Sequence, residues 1–166
     1  GYVNPRYLPR PLPTIGTLAL ENLGFPPKRL ARTSDEAIRV PQPAAAALMV
    51  RREAFDEVGG FDTQFHPAWY EDVDFARALA TSDWESYYAP GARFDHPGGH
   101  AYRLLGTERF MVAYYTNQFR FVRKHWRPGP VPMLKCALIL GVLARMLRRP
   151  DRIPDYWRGL LPVLKA

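Results

Sequence analysis

The feature that most limits what this chain can fold into is the distribution of its prolines. Proline fixes φ, removes a backbone donor and favours extended geometry in the residue before it. Residues 1–43 are therefore predicted to form an ordered connecting segment with one short helix near residues 15–23. This composition and the missing initiator Met indicate a piece of a longer protein. Eight of the 17 prolines lie in this segment: Pro5, Pro9, Pro11, Pro13, Pro26, Pro27, Pro41 and Pro43.

The length of the chain and its cysteine content limit which classes of protein it can belong to. With 166 residues and 47% apolar composition, the chain is long enough to bury a core, and disorder is not expected. The single cysteine, Cys136, excludes an intrachain disulfide framework and a Cys-based zinc cluster. It favours a reducing compartment. Gly1–Pro5 has neither a basic nor an apolar leader region, so we expect a cytoplasmic protein.

The net charge of +7 is unevenly distributed. Residues 1–100 contain ten Lys and Arg against thirteen Asp and Glu, whereas residues 101–166 contain thirteen against three. The C-terminal part therefore carries about +10 and is expected to have an anionic partner. On charge alone, nucleic acid, an anionic membrane surface and a phosphate-bearing substrate all stay open.

Hydrophobic periodicity predicts the main elements. The small apolar run 44–50 favours a buried strand, and residues 51–58 favour a short helix that ends at Gly59-Gly60. A helix begins at Glu71, and the aromatic run 84–89 predicts a strand. Two longer helices are predicted over residues 104–124 and 132–149.

The last predicted helix has too short an uninterrupted apolar run to cross a bilayer. At about 100° per residue its basic side chains fall on one side, and apolar residues cover much of the rest. This pattern is typical of a helix lying in the headgroup region of an anionic membrane. A helix packed on its own domain explains it equally well. The basic residues are Lys135, Arg145, Arg148 and Arg149.

Chemistry-bearing residues are concentrated between residues 58 and 100. The stretch begins with a glycine turn and continues with three carboxylates at a helix start, an aromatic strand and two histidines beside glycines. Such residues at element ends are held by rigid backbone and are open to a ligand, which is typical of a functional site. Its segments are Val58-Gly59-Gly60-Phe61-Asp62, Trp69-Tyr70-Glu71-Asp72-Val73-Asp74-Phe75, Tyr88-Ala89-Pro90 and Asp95-His96-Pro97-Gly98-Gly99-His100.

In order and spacing these segments resemble the second half of the family 2 glycosyltransferases, which have a GT-A fold. The resemblance covers roughly residues 40–126, including the runs 51–55 and 114–121, and is most similar to the rhamnosyltransferase-like group of bacterial surface polysaccharide synthesis. It implies an α/β fold: the C-terminal part of a Rossmann-like GT-A fold, followed by C-terminal helices. Residues 1–43 would be the connecting segment, 44–103 the acceptor-side part of the catalytic domain and 104–166 a basic helical region.

The resemblance implies an inverting transfer of a sugar from a nucleotide-diphosphate donor to a glycan or lipid-linked acceptor. Asp72 matches the family's catalytic base, which takes the proton from the attacking hydroxyl. The alternative for Asp72 is a plain helix-start acid, which the helix dipole favours. Glu71 is expected to position the acceptor or the loop, and Asp74 is expected to be structural. The residues expected to bind acceptor or substrate are Trp69, Tyr70, Gly60, Phe61 and Asp62.

Metal binding is expected at one residue of this chain. His96 resembles the histidine that completes a divalent metal shell, Mn²⁺ or Mg²⁺, on the nucleotide diphosphate, although a structural histidine is equally expected. Asp72-Val73-Asp74 is formally a D-x-D, but no hydrophobic strand precedes it, so we do not assign it to metal. His100 stands where many relatives carry a small hydroxyl residue, and its role stays open.

The family's nucleotide-binding half would precede this sequence. The metal would then be shared with that half, and this chain alone is expected to be close to inactive. A lipid-linked acceptor would place the protein at the inner face of the cytoplasmic membrane. Two other classes of protein are alternatives to a glycosyltransferase: a basic binding module for nucleic acid or membrane, and a metal-dependent hydrolase. No nucleic-acid-binding motif is visible, so a nucleic-acid partner is not expected.

Overall fold

The computed structural model describes residues 8–30, 36–96 and 100–166. These residues form two compact units: 8–12, 28–30, 36–64 and 71–96 in the first, and 13–27, 65–70 and 100–166 in the second. Helices predominate, with one two-stranded sheet in the described residues. The elements are α1 (Ile15–Leu23), β1 (Ile38–Arg39), α2 (Arg52–Glu57), α3 (Glu71–Leu79), β2 (Tyr87–Tyr88), α4 (His100–Trp126), α5 (Val131–Arg148) and α6 (Ile153–Lys165), with 3-10 turns at Ala45–Ala47, Thr63–Phe65 and Pro150–Arg152.

The first unit holds α2, α3 and the sheet. β1 and β2 pair antiparallel, with Ile38 opposite Tyr88. The core lies where α2 and α3 pack, because both place apolar side chains toward each other. Its buried members are Ala54, Phe75 and Leu79, and the partly buried side chains around them are Leu48, Val50, Phe55, Val58 and Trp84.

The second unit holds the four remaining helices. α1 begins at Thr14, whose side chain accepts from the Thr17 amide, and ends at Gly24, which adopts a φ of +105°. Its packing partner is α5, and α6 packs on α4 and α5. The fully buried core side chains are Leu18, Phe119, Phe121, Val122, Leu134, Leu138, Val142 and Val163.

The structure confirms the helices predicted at residues 15–23, 51–58 and from Glu71 onward. The two long helices are also confirmed, with α4 extending from His100 to Trp126 and broken at Gly106, where φ is +70°. Gly59 and Gly60 end α2 as predicted, since both have positive φ and the Gly60 N–H donates to the Phe55 carbonyl at 2.8 Å.

The predicted strand over residues 44–50 is wrong. This run contains a 3-10 turn, Ala45–Ala47, and no strand. Met49 is 93% exposed, so the run is not the continuous buried strand that its composition favours. The predicted strand 84–89 is confirmed only at Tyr87–Tyr88.

Two of the four basic side chains singled out in α5 follow the second alternative, a helix packed on its own domain. Lys135 donates from Nζ to the Leu164 carbonyl at 2.8 Å, and Arg145 donates from Nη2 to the Asn22 carbonyl at 3.2 Å. Both side chains therefore satisfy carbonyls near the C-terminal ends of α6 and α1, where cations are favoured. Of the four predicted basic residues, only the last two lie at exposed positions.

Residues 104–166 were predicted as a basic helical region, but α6 was not delimited within it. Pro154 and Pro162 interrupt its sequence, Pro150 lies just before it, and all three are ordinary signals against a helix. Pro154 lies in the first turn, where the missing N–H has no intrahelical partner to lose, and Pro162 lies in the last turn. None of the helices in the described residues is long and apolar enough to span a membrane.

The predicted α/β GT-A fold class stays a prediction. The described residues supply one short antiparallel pair of strands and six α-helical elements. The division into segments 1–43, 44–103 and 104–166 likewise stays a prediction.

Candidate functional site

Asp72 lies in the first turn of α3, where the helix dipole favours a carboxylate. Its side chain is partly buried and accepts hydrogen bonds from the backbone amides of Val73 and Ala45. Burial raises the pKa of the Asp72 carboxyl, and these hydrogen bonds and the positive charge of Arg10 only partly offset that rise. A carboxylate with a raised pKa accepts a proton more readily, which suits a general base.

The other two acids of α3 lie on either side of Asp72 in the sequence. Glu71 opens the helix and is partly buried, as Asp72 is. Asp74 is 5% exposed and lies on the core side of the helix beside Val73 and Phe75. The two aspartates of the D-x-D sequence therefore have different surroundings, since Asp74 is buried and Asp72 is only partly buried.

The glycine turn has a structural explanation at each of its three predicted site residues. Gly60 has a φ of +68°, and an added Cβ would lie 2.7 Å from the Phe55 ring. Phe61 is 40% exposed and packs its ring 4.9 Å from that of Phe75. Asp62 accepts from the Gln64 amide at 2.9 Å and so opens the following 3-10 turn. Their role in binding a substrate stays a prediction.

Residues 65–70 form a loop in the second unit that leads directly into Glu71 and Asp72. One buried side chain of α4, Asn117, holds this loop. The Asn117 Nδ2 donates to the carbonyls of Phe65 at 2.7 Å, Ala68 at 2.9 Å and Trp69 at 3.1 Å. Its Oδ1 accepts from Arg120 Nη1 at 2.6 Å. The Asn117 amide thus lies within hydrogen-bond distance of several carbonyls of a loop that has no regular structure of its own, and its two N–H groups are shared among them.

The end of this loop has unusual backbone geometry. Trp69 and Tyr70 have φ values of +72° and +77°, which non-glycine residues seldom adopt. Such geometry persists where surrounding contacts determine it, and it is often found at functional sites. Here the contacts are the Trp69 ring against Phe110 at 4.8 Å and the Tyr70 hydroxyl, which accepts from Gln118 Nε2 at 2.9 Å.

Trp69 and Tyr70 differ in the solvent exposure of their side chains. Trp69 is partly exposed and remains a candidate surface for an acceptor. Tyr70 is 2% exposed, and burial raises the pKa of its hydroxyl well above its usual range. Tyr70 is therefore placed to hold the loop, and its predicted contact with substrate stays a prediction.

His96 lies at an exposed position at the end of the first unit's described residues. In the described part of the chain, no three His, Cys, Asp or Glu residues come together as a metal site. The metal role of His96 stays a prediction. Pro97, Gly98 and Gly99 and the side chain of His100 lie outside the described residues.

Comparison with known proteins gives a partial match. A stretch of 58 residues is 40% identical to N-acetylglucosaminyl-diphospho-decaprenol L-rhamnosyltransferase from two strains of Mycobacterium tuberculosis. This part of the chain is similar to a rhamnosyltransferase. The match covers 35% of this chain and 19% of each relative, so the chain spans about a fifth of the relatives' length. No family model matches the chain, and no solved structure matches it.

The contacts that hold the candidate site were not found from the sequence. The Ala45 amide lies 27 residues before the carboxylate that it contacts, in the run predicted as a strand. Asn117 lies about 50 residues after the loop that it holds. The run Tyr114–Phe121 did carry part of the family resemblance, and a polar Asn-Gln pair within a helix of aromatics was the available signal.

Replacing Asn117 with Ala is expected to lower the free energy of unfolding by about 2–3 kcal/mol, because buried carbonyls of the loop lose their donor. Hydrogen exchange of the loop amides should rise more than that of α5. Chemical denaturation and exchange measured on this chain test both effects. Glu108→Ala, at an exposed position of the same helix, is the matched control and should change the stability by less than about 0.5 kcal/mol. Equal stability of the two variants would contradict the role given to Asn117.

Proposed function

We propose that this chain is the acceptor-side part of an inverting family 2 glycosyltransferase that acts in bacterial surface polysaccharide synthesis. The observation that carries the proposal is the 40% identity over 58 residues to a rhamnosyltransferase. The raised pKa of Asp72 at the start of α3 supports it, since this is the position that matches the family's base.

The proposed reaction is a single displacement. The acceptor hydroxyl oxygen forms a bond to the anomeric carbon of the donor sugar, and the bond from that carbon to the diphosphate oxygen breaks. The hydroxyl proton passes to the Asp72 carboxylate, and the nucleotide diphosphate leaves with the electron pair. Attack on the face opposite the leaving group inverts the anomeric centre.

The residues around Asp72 have proposed roles in this step. The Ala45 amide and the start of α3 orient the carboxylate. Glu71, the next residue, is proposed to position the acceptor. Trp69 is proposed to contact the acceptor through its partly exposed ring, and Gly60, Phe61 and Asp62 to shape the adjoining turn. Asn117 holds the loop that delivers Trp69.

His96 is proposed as one ligand of a divalent metal, Mn²⁺ or Mg²⁺, which a nucleotide-binding half would also hold. Such a metal would neutralise charge on the leaving diphosphate. We propose that the nucleotide and part of the metal shell are bound by residues outside this sequence, so this chain alone is expected to be close to inactive.

The activity for which the two relatives are named suggests the first substrates to assay. We propose an L-rhamnosyl group as the transferred sugar and a lipid-linked N-acetylglucosaminyl diphosphate as the acceptor. With a lipid-linked acceptor, the enzyme would work at the cytoplasmic face of the membrane.

The test is a transfer assay with labelled nucleotide-diphosphate L-rhamnose and polyprenyl-diphosphate N-acetylglucosamine. A longer polypeptide that carries residues 1–166 behind a nucleotide-binding half should extend the acceptor by one sugar, and the 166-residue chain alone should give no product. A panel of other nucleotide-diphosphate sugars covers the alternative donors. No transfer from any donor, together with hydrolysis of a simple phosphoester by the chain alone, would contradict the proposal and favour a metal-dependent hydrolase.

A further inference from the structure

The outer face of α5 is apolar along nearly the whole helix. At about 100° per residue, five of its side chains fall within an arc of about 80°. Leu147 is 87% exposed and Leu140 is 59% exposed, so these side chains face water. The five residues recur at spacings of three and four: Met133, Cys136, Leu140, Leu143 and Leu147.

No charged side chain interrupts this face before Arg148. The two basic residues within the helix point elsewhere, since Lys135 and Arg145 donate to carbonyls near the ends of α6 and α1. Lys135 also places its Nζ 5.7 Å from the centre of the Phe119 ring. The chain thus keeps its cations off the exposed side of α5, and a long apolar stripe on a water-facing helix is typical of a docking surface.

Two neighbouring helices of the same unit add exposed apolar side chains. Both α1 and α6 pack against α5. On α6 the exposed apolar residues recur every four positions, which places them on one side of that helix. The added residues are Ile153, Trp157 and Leu161 on α6, and Leu20, Leu23 and Phe25 at the end of α1.

The net charge of the second unit indicates what kind of partner binds the apolar face of α5. Its described residues contain thirteen Lys and Arg against four Asp and Glu, which gives about +9 with neutral histidines. Basic residues follow the apolar stripe at the end of α5 and along α6, and basic residues beside an anionic lipid surface are attracted to it. The same charge opposes pairing with a second copy of the chain. Arg148, Arg158 and Lys165 lie at exposed positions, whereas Arg149 and Arg152 pair with Asp151.

We propose that the apolar face of α5 docks on an anionic lipid surface. In this arrangement α5 lies in the headgroup region with this face toward the acyl chains. The apolar side chains supply the insertion, and the cations beyond them supply the preference for anionic lipid. This surface is distinct from the proposed catalytic residues and does not depend on them.

The test is co-sedimentation of the 166-residue chain with vesicles of phosphatidylcholine alone and of phosphatidylcholine with phosphatidylglycerol. Binding to the anionic vesicles only, weakened by salt, is expected. Leu140→Glu combined with Leu143→Glu should lower the partition coefficient at least tenfold, because burial of these two apolar side chains in the lipid is lost. Met49→Glu is the matched control, since Met49 is exposed in the first unit, and it should bind as the parent does.

Three outcomes would overturn the proposal. These are equal binding to both kinds of vesicle, unchanged binding of the double variant, and no binding by a chain whose circular dichroism shows it to be folded. A dimer in sedimentation equilibrium that Leu140→Glu dissociates would assign the face to a second copy instead. No sugar donor enters the assay, so its failure leaves the glycosyl transfer proposal standing, and the reverse also holds.

Discussion

Replacing Asp72 with Asn in an active polypeptide that carries this segment is expected to lower turnover by a factor of about 10²–10⁴, the contribution of a positioned general base. Asn has nearly the same shape, and its Oδ1 can still accept from the Ala45 amide that the carboxylate contacts. Donor binding should therefore be retained while proton acceptance is lost. Turnover and the dissociation constant of the donor, measured on the same preparation, distinguish lost proton acceptance from lost donor binding.

Asp56→Asn is the control for the loss of one negative charge in the same unit. Asp56 is an exposed acid paired with Arg52 on α2, so turnover should change little. Rescue of Asp72→Asn by added Mn²⁺ would point to a metal role for Asp72 and contradict its assignment as base.

Asp72→Asn is expected to lower turnover but to raise the free energy of unfolding. Burial raises the pKa of Asp72, so its ionised form is less favourable in the folded chain than in the unfolded chain. Ionisation of Asp72 does not lower the free energy of unfolding at pH values below its pKa in the unfolded chain, because Asp72 is then protonated in both states. The loss of stability is complete at pH values above its pKa in the folded chain. Asp72→Asn should therefore stabilise the chain at neutral pH. A simple helix-start acid would give the reverse, a loss of about 0.3–1 kcal/mol.

Gly141→Ala is expected to destabilise the second unit by about 3 kcal/mol or more. Gly141 lies on the buried side of α5, where α1 packs, and an added Cβ would overlap the backbone carbonyl of Asn22. That carbonyl also accepts from Arg145 and belongs to the last turn of α1, so it cannot move without separating the two helices. Overpacking of this kind exceeds the helix propensity of about 1 kcal/mol that alanine gains over glycine.

Gly16→Ala is the matched control for this prediction. Gly16 lies in α1 with only Thr14 Oγ1 near an added Cβ, at 3.9 Å, so there is room for a methyl group. This change should leave the stability unchanged or raise it by up to about 1 kcal/mol. Urea denaturation of both variants gives the comparison. A Gly141→Ala chain as stable as the parent would show that the α1–α5 contact is not as close as described.

Local signals were sufficient for several elements of the fold. The end of α2 follows from Gly59-Gly60, because glycine adopts the positive φ that ends a helix at little cost. The start of α3 follows from its acidic first turn. Both depend on residues within a few positions of the boundary.

Tertiary contacts decided the parts that the sequence did not predict. The alanine run 44–50 favours a strand by composition, yet its backbone turns so that Ala45 contacts Asp72. Helix α6 forms despite its prolines because Leu160 and Val163 are buried in the second unit. Lys135 and Arg145 lie on one side of α5 as their spacing predicts, but that side packs on other helices.

For the candidate site, the sequence identified the acids but not their environment. Motif order singled out Asp72 among the three carboxylates of α3, and burial raises the pKa of Asp72 in the structure. Asp72 is buried by residues distant in the sequence, and Asn117 contacts a loop about 50 residues before it. The spacing of residues along one segment could not have predicted them.

The most direct test of the central claim, that Asp72 is the base of a sugar transfer, is the dependence of kcat/KM on pH for the parent and for Asp72→Asn. This quantity reports the pKa of the essential base in the free enzyme. The account predicts that the parent's rate falls with decreasing pH at a value above the ordinary pKa of an aspartate, and that the variant is slow with no such fall. A variant that keeps both the rate and the acidic fall of the parent would contradict it.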